Sequence, residues 1–144
     1  MRVIKPDERH SHLRAACAEH GLRLTPQRDE LLRVLSQTTG HPTAEELIRK
    51  VRLALPSVSQ ATVYRNVQEL VRAGLIGTLE RAGGAVQFEI NPDTHHHFIC
   101  RRCGDVWDVY LDEAQWQPQE PEGLAGFQID RREVQFHGVC GRCR

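Results

Sequence analysis

Apolar residues recur every three or four positions through the first half of the chain, and that period predicts a succession of short helices. Leu13, Ala16, Cys17 and His20 share one helical face, with Gly21 as the C-terminal stop. Thr25-Pro26 supplies an N-cap and a first-turn proline ahead of the stripe Leu31, Leu32, Val34 and Leu35. Thr43 and Glu46 form a capping box, and Leu47, Ile48, Val51 and Leu55 continue the buried stripe until Pro56 closes that helix. Ser59 caps a fourth helix whose inward face is Val63, Val67, Leu70 and Val71, ended by Gly74. Residues 75–80 and 85–90 then pair as strands around the turn Arg81-Ala82-Gly83-Gly84.

Helices followed by a hairpin describe a winged helix. On the fourth helix the outward face carries Gln60, Ala61, Tyr64, Arg65 and Gln68, which suits an element that reads the major groove. The same spacing also suits an amphipathic helix with an ordinary solvated face.

The second half carries metal chemistry. Cys100-Arg101-Arg102-Cys103 and Cys140-Gly141-Arg142-Cys143 are two C-x-x-C knuckles, 36 residues apart, that together offer the four thiolates structural zinc prefers. Gly104 and Gly141 are expected to ease the tight backbone of each knuckle. A redox dithiol is the rival reading of either motif. Cys17, on an apolar helical face, reads as a small buried hydrophobe. If residues 94–100 are extended, His95 and His97 share one face and His96 points to the other. Two imidazoles on one face suggest a second metal site, whose further ligands spacing leaves open among Glu89, Asp108 and His41. Val106 to Tyr110 and Val134 to Phe136 read as strands, and Asp112 caps a short helix through Glu113, Ala114 and Trp116.

Composition changes the picture in one respect. The 144 residues hold 19 Lys+Arg and 19 Asp+Glu, a net charge of zero that argues against a nucleic-acid partner. The zero is a cancellation: residues 1–85 hold 13 basic and 9 acidic residues, net +4, and residues 86–144 hold 6 and 10, net −4. A basic first module and an acidic, Cys- and His-rich second one point to different partners. No run approaches 18 apolar residues, and the charged N-terminus lacks a signal-peptide core, so a cytoplasmic location is expected.

Seven segments in order, GLRLTPQR (21–28), HPTAEEL (41–47), ATVYRNV (61–67), GL (74–75), QFEI (87–90), HHHFICRRCG (95–104) and HGVCGRC (137–143), resemble the ferric uptake regulator (Fur) family. The resemblance spans nearly the whole chain. It implies an α+β protein: an N-terminal winged-helix DNA-binding domain over residues 1–90, and a small C-terminal α/β dimerisation domain with structural zinc over 91–144. Structural Zn(2+) would be held by Cys100, Cys103, Cys140 and Cys143, and the regulatory metal by His41, Glu89, His95, His97 and Asp108. Tyr64 and Arg65 match the family's base-contacting pair and Arg23 a minor-groove residue, with Ser59, Gln60 and Thr62 completing the expected DNA-binding set. The implied function is a homodimeric, metal-dependent repressor of metal-homeostasis or oxidative-stress genes, binding a pseudo-palindromic, AT-rich operator and having no enzymatic activity.

Three imidazoles and two carboxylates without a thiolate favour Fe(2+) or Mn(2+) as the regulatory ion. Asp108 resembles the peroxide-sensing, PerR-like branch, whereas Glu89 resembles the iron sensors. A further surface metal site of some members is expected to be absent, because Gln115 and Arg132 stand at the corresponding positions. The family's long inter-strand helix is expected to be shortened around residues 117–126, where two prolines fall. The alternatives are a zinc-stapled protein-interaction module that binds no DNA, and a zinc-dependent hydrolase using His95, His97 and Glu89 as an open site.

Overall fold

The computed structural model describes residues 5–81, 84–91, 93–112, 122–129 and 132–144. The chain divides into two compact units, Met1–Pro92 and Asp93–Arg144. Its architecture is α+β, a winged helix followed by a small sheet unit.

Four helices open the first unit: α1 (Pro6–Glu19), α2 (Pro26–Gln37), α3 (Ala44–Ala54) and α4 (Gln60–Arg72). The expected caps set their starts. Thr25 accepts from the backbone N–H of Arg28 at 3.1 Å, and the Ser59 hydroxyl accepts from Thr62 N–H at 3.1 Å. Thr43 and Glu46 complete both arms of the capping box. Gly21 and Gly74 end α1 and α4 with φ of +68° and +71°, a region closed to most side chains. The core of this unit joins Leu13 and Cys17 of α1 to Leu31, Leu32 and Leu35 of α2, Leu47 and Val51 of α3, and Val63, Val67 and Leu70 of α4. His20 departs from expectation. It lies past the helix end, exposed, with Nδ1 bonded to the Ala16 carbonyl at 2.8 Å.

The wing is the antiparallel pair β1 (Gly77–Glu80) and β2 (Val86–Glu89), shorter than the expected strands at both outer ends. Its turn is closed by Arg81 N–H on the Ala85 carbonyl (2.8 Å) and Gly84 N–H on the Arg81 carbonyl (2.9 Å); Ala82 and Gly83 lie outside the described residues. Phe88 and Ile90 carry the wing into the helical core.

In the second unit β3 (His96–Cys100) is the centre of a sheet ordered β4-β3-β5, with β4 (Val106–Val109) antiparallel to it and β5 (Gln135–Gly138) parallel. The helix expected from Glu113 to Trp116, and Gln115 with it, lies outside the described residues.

Candidate metal centres and nucleic-acid interface

Parallel pairing of β3 and β5 brings the C-terminal ends of both strands to one end of the sheet, with Cys100 opposite Gly138. Each strand runs directly into a C-x-x-C turn. The first closes with Gly104 N–H on the Cys100 carbonyl at 2.8 Å and needs a φ of +72° at Gly104; the second closes with Cys143 N–H on the Cys140 carbonyl at 3.0 Å. Gly141, expected to relieve the second knuckle in the same way, does not adopt positive φ, because the reversal there is made without a left-handed residue. The four sulfurs of Cys100, Cys103, Cys140 and Cys143 lie within 4.8 Å of one another, and none is in a disulfide.

These distances fit a shared ion. Thiolates about 2.3 Å from a tetrahedral zinc stand about 3.8 Å apart, and Cys103 Sγ is 3.9 Å from Cys140 Sγ. The electrostatics point the same way. Backbone N–H groups of Cys103 and Cys140 hold the Cys100 thiol down at about 6, and the Cys140 N–H reaches Cys100 Sγ at 3.4 Å. Hydrogen bonding to the Cys140 and Cys103 sulfurs pushes Cys143 up to about 12. One thiolate is favoured, and four together require a cation to offset their mutual repulsion.

The histidine segment is extended as expected, and it separates three imidazoles by role. His96 turns to the second face, where its Nδ1 accepts from Val134 N–H at 3.0 Å, a link between β3 and β5. His95 and His97 are buried on the other face with their Nε2 atoms 3.1 Å apart. Both rings already use Nδ1 as a donor: His95 to the Asp93 carbonyl at 2.6 Å, His97 to the Glu133 carboxylate at 2.8 Å. A neutral imidazole that donates through Nδ1 carries a bare lone pair on Nε2. Two such lone pairs face each other, the arrangement that a cation between them stabilises and that metal-binding histidines adopt. Asp108, paired with His97 across β3 and β4, brings a carboxylate oxygen to 3.5 Å from His95 Nε2.

In the first unit the loop before α3 is sewn to the wing by Phe88 N–H on the Pro42 carbonyl (2.8 Å) and by the bridge from Thr43 to Gln87. That stitching sets His41 beside Glu89, Nε2 to Oε2 at 2.9 Å, with both side chains about 5 % exposed. The other Glu89 oxygen accepts from Asn91 N–H at 2.7 Å.

The outward face of α4 is as the period predicts, with Gln60, Ala61, Tyr64 and Arg65 exposed, Tyr64 by 51 %; Gln68 is only half exposed. Ser59 and Thr62 bond each other, hydroxyl to hydroxyl at 2.8 Å, in addition to the cap. Arg23 is exposed in the loop before α2, and its carbonyl is held at 2.7 Å by buried Arg28. Arg28 also donates to Asn66 at 3.0 Å and to the Glu69 carboxylate, so one guanidinium ties the Arg23 loop to two positions of α4. Sequence reasoning singled out neither Arg28 nor Glu133. Their partners stand 38 to 41 and 36 residues away, and no periodicity marks such a pair.

A winged helix with an open polar face, joined to a sheet unit bearing thiolate and imidazole clusters, defines the class of metal-responsive DNA-binding regulators. The Ferric uptake regulator family profile matches residues 19–137, and the chain belongs to that family of metal-dependent transcriptional repressors. It is 28 % identical over 130 residues to the peroxide-responsive repressor PerR of Staphylococcus epidermidis, covering 90 % of this chain and 87 % of that one. The fold is similar to that of the ferric uptake regulator from Pseudomonas aeruginosa with manganese, with a TM-score of 0.75, 25 % identity and coverage of 89 % and 97 %. It is also similar to a zinc uptake regulator complexed with zinc and DNA, with a TM-score of 0.62, 27 % identity and coverage of 98 % and 96 %. Among the described residues no helix is long and apolar enough to cross a membrane.

Proposed function

We propose that this chain is a homodimeric repressor whose grip on operator DNA is set by Fe(2+) or Mn(2+) held by His41, Glu89, His95, His97 and Asp108. Zn(2+) on Cys100, Cys103, Cys140 and Cys143 serves structure alone. The observation that carries the reading is the pair of His95 and His97 Nε2 lone pairs, 3.1 Å apart, both rings donating through Nδ1. The donor set of nitrogen and carboxylate oxygen, without sulfur, suits Fe(2+) or Mn(2+).

The first unit supplies His41 and Glu89, the second His95, His97 and Asp108, so neither holds a complete set. A cation shared between them favours the state in which both units contribute, and by linkage operator DNA that prefers that state raises metal affinity equally. We assign DNA binding to residues 1–90 and metal binding and dimerisation to residues 91–144. Exposed Tyr64 and Arg65 on α4 are the base-reading pair, Gln60, Ser59 and Thr62 flank them, and Arg23 enters an AT-rich minor groove. The second unit exposes Tyr110, Phe127 and Phe136, large apolar side chains suited to a subunit interface. Membership of a family of regulators supports a non-enzymatic role, and a DNA partner calls for a cytoplasmic one.

Operator binding measured anaerobically with Fe(2+), Mn(2+) or neither tests the reading, given zinc-replete protein throughout. Tight binding is expected only with metal, and equal affinity in all three conditions sinks it. Replacing Tyr64 and Arg65 by Ala together abolishes operator binding and leaves metal binding intact; a protein-interaction module would be indifferent to that change. Peroxide sensing, the finer reading drawn from Asp108, requires mass spectrometry to find one added oxygen on His41 or His95 after Fe(2+) and peroxide.

A further inference from the structure

We infer that Glu133 is a positioning residue of the regulatory metal site: its carboxylate fixes the tautomer and orientation of His97 so that Nε2 faces the metal as a bare lone pair. The inference rests on the reading of His95 and His97 as ligands. Glu133 Oε1 is 2.8 Å from His97 Nδ1, on the far side of the ring from the Nε2 that faces His95. The His97 side chain is fully buried and that of Glu133 a quarter exposed, and the same Oε1 also accepts from Gln135 Nε2 at 3.3 Å.

A buried imidazole left to choose divides between two tautomers, and only one presents Nε2 unprotonated. A carboxylate at Nδ1 selects that one and increases the electron density at the ligating nitrogen. His95 has a different anchor for the same purpose, the carbonyl of Asp93 at 2.6 Å. The two rings therefore reach one tautomer by two routes, one from the adjacent backbone and one from a side chain distant in sequence.

The placement of Glu133 is determined by β5. His97 N–H donates to the Val134 carbonyl at 3.1 Å, Val134 N–H donates to His96 Nδ1 at 3.0 Å, and Gln135 lies opposite His97 in the parallel register. Glu133 thus lies two residues before β5, next to Val134, which is bonded to β3 on both sides, and the end of that strand leads to Cys140. The strand that completes the thiolate site also delivers the carboxylate to the histidine site.

The experiment uses full-length protein with its zinc retained and the regulatory ion removed. Mn(2+) is titrated by electron paramagnetic resonance into wild type, Glu133→Ala, Glu133→Gln and His95→Ala, with zinc content and circular dichroism as fold controls. Glu133→Ala is expected to weaken Mn(2+) binding about 10- to 100-fold with zinc and fold unchanged. Glu133→Gln, whose amide oxygen still accepts from Nδ1–H, should stay within a few-fold of wild type. Nitrogen-15 spectra of the Mn(2+)-free proteins give a second readout: His97 should be the Nδ1–H tautomer in wild type and Glu133→Gln, and a mixture in Glu133→Ala.

Unchanged affinity in Glu133→Ala, or an unchanged His97 tautomer, overturns the role given to Glu133. So does a loss in both variants with the tautomer intact, because charge rather than orientation would then be the cause. If His95→Ala binds Mn(2+) as wild type does, the regulatory-site reading itself fails. If His95→Ala loses Mn(2+) while Glu133→Ala keeps it, only the positioning role fails.

Discussion

Arg28 shows how much a single buried side chain can organise. Its guanidinium joins the Arg23 carbonyl, Asn66 and Glu69, tying the loop before α2 to α4. Removing it strands a partly buried carboxylate and an amide, so Arg28→Ala should destabilise the first unit by about 3 kcal/mol, read from urea denaturation. Cys17, next to this network, is a buried thiol whose pKa is raised above 9.0 by burial, with Arg28 opposing in part. The unfolded thiol ionises first as pH rises, so its contribution is full below pH 9.0 and is lost as pH climbs toward the raised folded value. Between pH 8 and pH 10, both values chosen as roughly a unit either side of the ordinary thiol pKa, the urea midpoint of wild type should fall more than that of Cys17→Ala.

At the scale of elements, the wing carries Glu89, one of the ligands named in the proposed function. Gly77 of β1 faces Glu89 of β2, and a Cβ at Gly77 would stand 3.2 Å from the Glu89 Cβ. Gly77→Val therefore presses on the carboxylate that pairs with His41, and should weaken regulatory metal binding while leaving zinc content unchanged. Titration of zinc-loaded protein with Mn(2+) measures it, and equal affinity would show that the strand yields without moving Glu89. The knuckles make the complementary point. Cys143→Ser should release zinc to a chelator and loosen the last turn of the chain, because the parallel β3–β5 pair brings the turns together and a shared ion would join the four sulfurs.

For the whole molecule, the charge divides in the sense the proposed function needs. The half assigned to DNA has a net +4 and the half rich in Cys and His a net −4. Operator affinity should fall steeply and log-linearly with salt, whereas Mn(2+) affinity of the buried histidine site should respond weakly. The second unit, to which the subunit interface is assigned in the proposed function, exposes Phe127 and Phe136. A Phe127→Glu, Phe136→Glu double variant should sediment as a monomer, keep its zinc, and lose most operator affinity, because paired half-sites are then met one at a time.

Much of this was legible in the residues. Helix starts followed from Thr25, Thr43 and Ser59, the buried stripes from a period near 3.6, and the thiolate set from two identical spacings, because each is a local pattern read within a few residues. The alternation of His95, His96 and His97 was likewise a consequence of the two-residue period of a strand. Other features needed the tertiary structure. It set His41 beside Glu89 through a bridge to the wing, Glu133 behind His97 through a parallel strand, and Arg28 between a loop and a helix. Those contacts join residues 36 to 48 positions apart, where loop closure and strand register, rather than any local propensity, choose the partner.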